Sequence, residues 1–393
     1  MILCFVLLFQ YFFVYKKYNK DLLNPLFYFG YEYAVKVILG FIFLYSSQNI
    51  DQGVLEVTTV LAIMYPIFIN IGFLLPVKLF FLKSFIKSFV SYKSSNELVS
   101  KNYKFIILAL IFLFLVNMLL VSNIGDGGWL WLSDSRNAYQ HYRKGAGIFY
   151  SFATMFLFMS FIVMLFFSKK KLCSFIFYVF VFMGLAYFTG SKRTIISFLI
   201  FSLVYYNYYI YKIKIRHLIF FLGIVVILFA AILIYQSNFS LDRVYKYFNY
   251  LDSTYKIVDF FDKGGIFYNG KVYLSNLWGY VPRILYEDKP PYFGGGYVTH
   301  ILYPGSAEKG HFTGALSWTA SYIDFGFIGV IFNGLITGIA LRVLYDVFKY
   351  SGSIFSFILF VQFSYTPIFK YVPVFAIMLI FVVLVNILRL RIK

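Results

Sequence analysis

Eleven runs of apolar residues divide this chain, at about 2–15, 25–45, 55–75, 105–121, 148–167, 172–189, 194–211, 218–235, 324–345, 353–369 and 371–388. A hydrocarbon core about 30 Å thick takes roughly 20 residues of helix to cross. Backbone polar groups inside it must be satisfied within the segment, so each run reads as a transmembrane helix. The first run is short, has no basic residue before it and lacks a small-residue cleavage site, so it reads as an uncleaved span or anchor rather than a signal peptide. Composition agrees. Of 393 residues, 61% are hydrophobic and 13% charged, where a soluble domain is roughly half apolar and about a quarter charged. A soluble enzyme, a disordered tail and a secreted disulfide scaffold are excluded. Both cysteines, Cys4 and Cys173, lie in apolar runs, so the outer loops contain no disulfide.

The formal net charge of +19 invites a nucleic-acid partner, but its distribution points elsewhere. The connections holding Lys16 to Lys20, Lys78 to Lys104, Lys169 to Lys171, Lys212 to Arg216, Arg342 to Lys349 and Arg389 to Lys393 carry 20 basic residues against Asp21, Glu97 and Asp346. The opposite side carries 14 basic and 12 acidic residues. Basic connections stay in the cytoplasm, so the charge reports topology and no nucleic acid is needed. Glu32 and Lys36, one helical turn apart inside the second run, neutralise each other. No repeat, zinc spacing, P-loop, dinucleotide fingerprint or D-x-D motif is present. The longest cytoplasmic connection is about 29 residues, too short for a nucleotide-using domain, and no cofactor or metal is expected. The expected fold is an all-α polytopic membrane protein of about 11 spans. Residues 1–235 form spans one to eight with an outer loop at 122–147, residues 236–320 a large outer loop, and residues 321–393 the last three spans.

Polar chemistry concentrates in those outer loops. Five of nine arginines (Arg136, Arg143, Arg193, Arg243, Arg283) and three of four histidines (His141, His300, His311) lie there, where charge statistics disfavour arginine. In the first loop Trp129 and Trp131 read as interface anchors, and Ser133 can cap a short helix running to Gly145. Arg136, Tyr139, Gln140 and Arg143 then share a face, and two guanidiniums suit a diphosphate or an acidic sugar. In the second loop, apolar residues at Leu241, Val244, Phe248, Leu251, Tyr255 and Val258 predict an amphipathic helix over 241–262, lying on the outer leaflet or on the protein as a lid. Pro282, Pro290 and Pro291 then exclude regular helix, and Gly294 to Gly296 let backbone approach a ligand. Arg283, Glu287, Asp288 and Lys289 cluster charge beside that glycine run, with His300 and His311 ahead of re-entry at Asp324. An arginine to hold a leaving anion and a carboxylate or histidine to take a proton are the parts of a group-transfer site. Gly190-Ser191-Lys192-Arg193-Thr194 forms a tight outer turn that puts Arg193 at the membrane boundary, where a lipid-linked phosphate resides. Gly334 and Gly338 read as helix packing.

Residues 120–345 resemble the Wzy-type repeat-unit polymerases of O-antigen and capsular polysaccharides. The resemblance rests on Ser135-Arg136…Tyr139…Gly145…Gly147, the G-S-K-R turn, Pro282-Arg283 through Lys289-Pro290, and D-F-G-x-x-G at Asp324 to Gly329. An R-x10-G element recurs in both outer loops, Arg136 with Gly147 and Arg283 with Gly294. The resemblance implies a GT-C-like glycosyltransferase of the bacterial inner membrane, facing the periplasm and working on undecaprenyl-diphosphate-linked oligosaccharides. Arg283 and Arg193 would bind the departing diphosphate, while Arg136 and Arg143 hold the acceptor. His311, Glu287 or Asp324 would serve as base. Tyr139, Lys289, His300 and Gly294 would bind substrate, and Tyr286, Tyr292 and Tyr297 would stack on sugars. A chain-length regulator and a flippase are the implied partners, beside membrane lipids.

Three other functions compete. An O-antigen ligase shares topology and donor, and His300 with Gly310 faintly resembles its loop pattern, although Thr313 stands where a further glycine belongs. A flippase for the same lipid would carry several charges midway through its spans. A membrane acyltransferase needs a histidine with a partner near the cytoplasmic face, which His217 lacks.

Overall fold

A computed structural model of the chain describes residues 21, 23–46, 50–75, 96–142, 145–167, 172–213, 250–281, 286, 288–308, 313–352 and 354–365, and all regular elements among them are helical. In chain order these are α1 (Pro25–Ser46), α2 (Gln52–Leu74), α3 (Asn96–Ile124), α4 (Leu130–Ser133), α5 (Ser135–His141), α6 (Gly147–Phe167), α7 (Leu172–Tyr187) and α8 (Lys192–Tyr205), extended by a π turn (Tyr206–Ile210). There follow α9 (Tyr250–Asp262), α10 (Lys271–Ser275) with a 3-10 turn (Asn276–Tyr280), α11 (Gly296–Leu302), α12 (Thr319–Ser351) and α13 (Ile354–Ser364). Eight of the eleven apolar runs coincide with helices; those at 2–15, 218–235 and 371–388 lie outside the described residues. By length and composition, four helices among the described residues can cross a membrane: Gln52–Leu74, Asn102–Ile124, Gly147–Phe167 and Thr319–Tyr350. On α3, Phe105, Leu108, Phe112, Leu115 and Leu119 form an exposed apolar stripe at helical spacing, a surface that suits lipid. The chain is a helical membrane protein.

It divides into two units, residues 1–78 with 213–346 and residues 79–212 with 347–393. In the first, Asp51 starts α2 by accepting the N–H groups of Gly53 and Val54 at 2.8 and 3.4 Å. α2 meets α12 through glycines. A Cβ on Gly72 would lie 2.2 Å from the Leu335 carbonyl oxygen, one on Gly338 2.1 Å from that of Ile69, and one on Gly334 2.8 Å from Phe68 Cβ. The packing role expected of Gly334 and Gly338 is thus what the structure has. Glu32 and Lys36 pair at 2.5 Å, and the Lys36 ammonium lies 5.0 Å from the Tyr250 ring at the start of α9.

α9 is the described part of the predicted amphipathic helix; 241–249 lie outside the described residues. It rests on protein: Leu251, Thr254, Tyr255, Val258 and Phe261 are buried, and Leu251 Cβ sits where a Cβ on Gly40 of α1 would be, 2.4 Å away. The Tyr255 hydroxyl accepts the Asp51 N–H at 2.9 Å, tying α9 to the start of α2. The Thr254 hydroxyl accepts the Leu316 N–H at 3.0 Å and bonds the Thr319 hydroxyl at 2.9 Å.

In the second unit, α3 and α6 pack through Leu110, Met155, Met159 and Val163. Phe161 stacks on Phe198 at 4.5 Å and Phe158 meets Phe201 edge-on at 4.8 Å, joining α6 to α8. The high aromatic content is spent on helix packing of this kind.

Candidate functional site

In the second unit, two of the motifs read separately in the sequence touch. Asp134 caps α5 by accepting the Asn137 N–H at 3.1 Å. The expected cap, Ser133, instead closes α4 by bonding the Trp129 carbonyl at 3.3 Å, and the helix ends at His141 rather than Gly145. The carboxylate one residue later wins because it aims at the free amides of the first turn. Ser135 lies directly on the G-S-K-R turn: Gly190 has φ +65°, and a Cβ there would lie 2.0 Å from the Ser135 carbonyl oxygen. The Arg136 guanidinium reaches the Gly190 carbonyl at 3.5 Å and lies 5.6 Å from the Tyr139 ring centroid. Tyr139 packs on Tyr150 at 5.5 Å, and the Tyr150 hydroxyl donates to the Thr189 carbonyl at 3.0 Å. Arg136 and Tyr139 are therefore packed, directly and through Tyr150, against the Thr189-Gly190 turn that leads into α8. Arg193 lies in the first turn of α8; its side chain and all of Arg143 lie outside what is described.

The two tryptophans part company. Trp129 is 80% exposed, whereas Trp131 is 4% exposed and packs into the protein. Its indole occupies the room left by Gly127, where a Cβ would lie 2.5 Å from Nε1.

In the first unit, Asp324 organises the segment around α10. It is fully buried, and its carboxylate accepts the N–H groups of Val272 and Tyr273 at 3.0 and 2.9 Å. An anion at the amino end of α10 is favourable there. Its carbonyl and that of Ile323 accept the N–H groups of Asn269 and Tyr268, both at 3.0 Å. Both carboxylate oxygens are thus engaged by backbone donors, a geometry that suits anchoring of the loop. The rest of D-F-G-x-x-G serves the same joint. Gly326 breaks the helix at φ 59°, and Gly329 lies against the Ser321 carbonyl, 2.2 Å from where its Cβ would be. Below the joint a polar chain enters α12: the Tyr273 hydroxyl bonds Ser321, Asn333 donates to Ser321 at 2.6 Å, and Thr337 to Asn333 at 3.1 Å. Burial pushes the Tyr273 phenol up, and the Asp324 charge adds to it, so the hydroxyl stays protonated. These partners carry no motif, and nothing in the sequence singled them out.

The glycine run also does something unexpected. The Gly294 N–H donates to Ser275 at 2.8 Å, and Asn276 Oδ1 lies 2.0 Å from where a Cβ would be. With φ +54° as well, Gly294 admits protein rather than ligand, and it sets up α11. On α11, His300 Nδ1 meets Glu308 at 3.0 Å, and Tyr292 stacks on the imidazole at 4.3 Å. Glu308 escaped the sequence reading because its approach depends on the intervening Pro304-Gly305 turn. Its carboxyl is held below the ordinary value of 4.5, first by its own backbone N–H and then by His300. Lys289 donates to the Val281 carbonyl at 2.8 Å and lies 4.7 Å from the Phe293 ring centroid, folding back on its loop. Tyr286 stacks on Trp278 at 5.3 Å, and Tyr297 meets Tyr292 edge-on at 5.1 Å. Arg283, Glu287 and His311 lie outside the described residues.

The O-antigen polymerase of Salmonella typhimurium is 24% identical to this chain over 276 residues, which is 69% of the chain and 67% of that protein. The O-antigen polymerase of Salmonella typhi matches equally, at 24% over 276 residues. No family model matches the chain, and no solved structure does. At the level of the family, the two relatives support the resemblance to Wzy-type polymerases read from the motifs.

Proposed function

We propose that this chain, similar over two thirds of its length to O-antigen polymerases, is a membrane glycosyltransferase that joins lipid-linked oligosaccharide repeat units into O-antigen or capsular polysaccharide. That likeness carries the reading. The donor is a glycan on undecaprenyl diphosphate, the membrane is the bacterial inner membrane, and the outer loops face the periplasm on a GT-C-like bundle of about eleven spans. A hydroxyl of the acceptor's terminal sugar attacks the donor's anomeric carbon. The bond from that carbon to the phosphate oxygen breaks, and its electron pair leaves with the lipid diphosphate. The hydroxyl proton passes to His311 or Glu287. Asp324 takes the part of a positioning residue, since both its oxygens already accept backbone N–H groups.

The leaving group is multiply charged, and planar guanidiniums match its oxygens in pairs. Arg283 and Arg193 take that role, while Arg136 and Arg143 hold the acceptor lipid's phosphates beside Tyr139. The contact of Arg136 with the turn that leads to Arg193 supports a shared anion surface. His300, Lys289 and the Gly294 turn shape the sugar-binding side. A flippase would deliver the units, and a chain-length regulator would be a partner of the complex.

Arg283→Ala and Arg193→Ala should each abolish chain growth on purified lipid-linked units with membrane insertion intact, and Arg283→Lys should rescue poorly because a point charge lacks the fork. Full activity in both alanine variants removes the leaving-group role. Loss of the gene should leave single repeat units on the surface lipid; no attached units at all would make the chain a ligase. Flipping without chain growth by the purified protein would make it a transporter.

A further inference from the structure

We infer that the open cleft between α9 and α11 binds the non-reacting sugars of the glycan, and that it favours a neutral glycan. The inference rests on the polymerase reading for its substrate. The cleft has a volume of about 770 Å³, within the range of about 300–1,000 Å³ usual for small-molecule sites.

A sugar ring offers apolar C–H faces and a rim of hydroxyls, so its site needs flat apolar walls beside paired donors and acceptors. The cleft has both. Its walls include Ile266, Tyr268 and Leu302, and its polar groups are Lys256, Asp259 and Lys263. Ile266 is 81% exposed and Phe260 41% exposed, and both line the cleft, so its wall presents apolar surface to a ligand. The turn that ends α9 leaves the cleft open: a Cβ on Gly264 would meet nothing within 4 Å.

The charges cancel locally. Lys256 pairs with Asp252 and Lys263 with Asp259, each at 2.8 Å. An ammonium has three donors and a carboxylate several acceptor sites, so each pair can still bond hydroxyls. A carboxylated sugar would have to displace a carboxylate already in place, which is why a neutral glycan fits.

The cleft also leads somewhere. Tyr268 meets Tyr297 edge-on at 5.5 Å, and Tyr297 in turn meets Tyr292, which stacks on His300. A row of rings thus runs from the cleft to the Gly294 turn. The Tyr268 N–H bonds the Ile323 carbonyl at 3.0 Å, so the cleft wall is fastened to the joint at Asp324. A glycan lying along this row would hold its remote sugars in the cleft while its reacting end approaches the loop residues.

The test uses the full-length protein in nanodiscs with two probes. One is the host's lipid-linked repeat units in a chain-growth assay. The other is the oligosaccharide freed from lipid and diphosphate by mild acid, with binding read by saturation-transfer NMR. Ile266→Ser and Lys263→Ala change exposed side chains that the fold does not need; Tyr268→Ala removes the wall, and Tyr268→Phe keeps its ring. The first three should raise KM about tenfold with kcat within about twofold, as loss of uniform binding does. They should also weaken the NMR signal, while Tyr268→Phe retains it. Chain growth with KM and binding unchanged in all three variants overturns the cleft and leaves the polymerase standing, as does a fall in kcat at constant KM. Wild-type binding that these variants weaken, without any chain growth, supports the cleft and overturns the polymerase.

Discussion

Asp324 shows how a motif can mark a residue without showing what its side chain touches. Its position in D-F-G-x-x-G was legible, but whether its oxygens face a substrate or a helix end depends on a loop some fifty residues earlier in the chain, through Val272 and Tyr273. Asp324→Asn keeps the shape and loses one acceptor, leaving a buried N–H unpaired. Thermal unfolding of the purified protein should show a loss of about 1–3 kcal/mol. Gly190→Ala should be worse than its size suggests, because the Cβ meets the Ser135 carbonyl at 2.0 Å in a backbone with φ +65°; chain growth should fall together with thermal stability. Glu308 has a depressed carboxyl pKa, so its contribution is present above the ordinary 4.5 and is lost as pH falls through the folded value. Amide-exchange protection at residues 303–308, taken relative to the intrinsic rate at each pH, should fall as pH drops below 4.5.

At the scale of elements, periodicity carried most of the information. The alternating three- and four-residue spacing over Leu251, Tyr255 and Val258 marked a buried face, and those residues are buried. What covers the face was not legible, since an amphipathic helix suits a lipid surface and a protein surface equally. Gly40 decides it by leaving room for Leu251. Leu251→Ala should therefore cost about 2–5 kcal/mol, as in a packed core, whereas a helix resting only on lipid would lose far less in a denaturant titration. The helix caps were the weakest readings. Ser133 and Asp134 are adjacent and both good caps, and only the path of the chain from α4 selects the aspartate. The glycines of α2 and α12 interlock backbone to backbone, so Gly338→Leu should force the helices apart and lower the unfolding temperature more than the same change at Gly147, which meets nothing within 4 Å.

For the whole molecule, the charge asymmetry predicts which side each loop faces. In a background lacking Cys4 and Cys173, Ile266→Cys should react with a membrane-impermeant maleimide added from the periplasmic side, whereas a cysteine in place of Lys170 should react only after the cytoplasmic side is opened. The reverse pattern would overturn the orientation. The apolar runs determined, without any tertiary information, that the chain is a helical membrane protein, and the placement of basic residues predicts the side of each loop. Both follow from one-dimensional rules: hydrocarbon thickness sets helix length, and membrane insertion sorts charge. Tertiary structure alone decided that Arg136 reaches Gly190 across 54 positions of sequence, that Trp131 is core while Trp129 is surface, and that Asp324 anchors a loop. Those outcomes depend on which backbone groups remain unsatisfied once helices have packed, and no local pattern of residues encodes that.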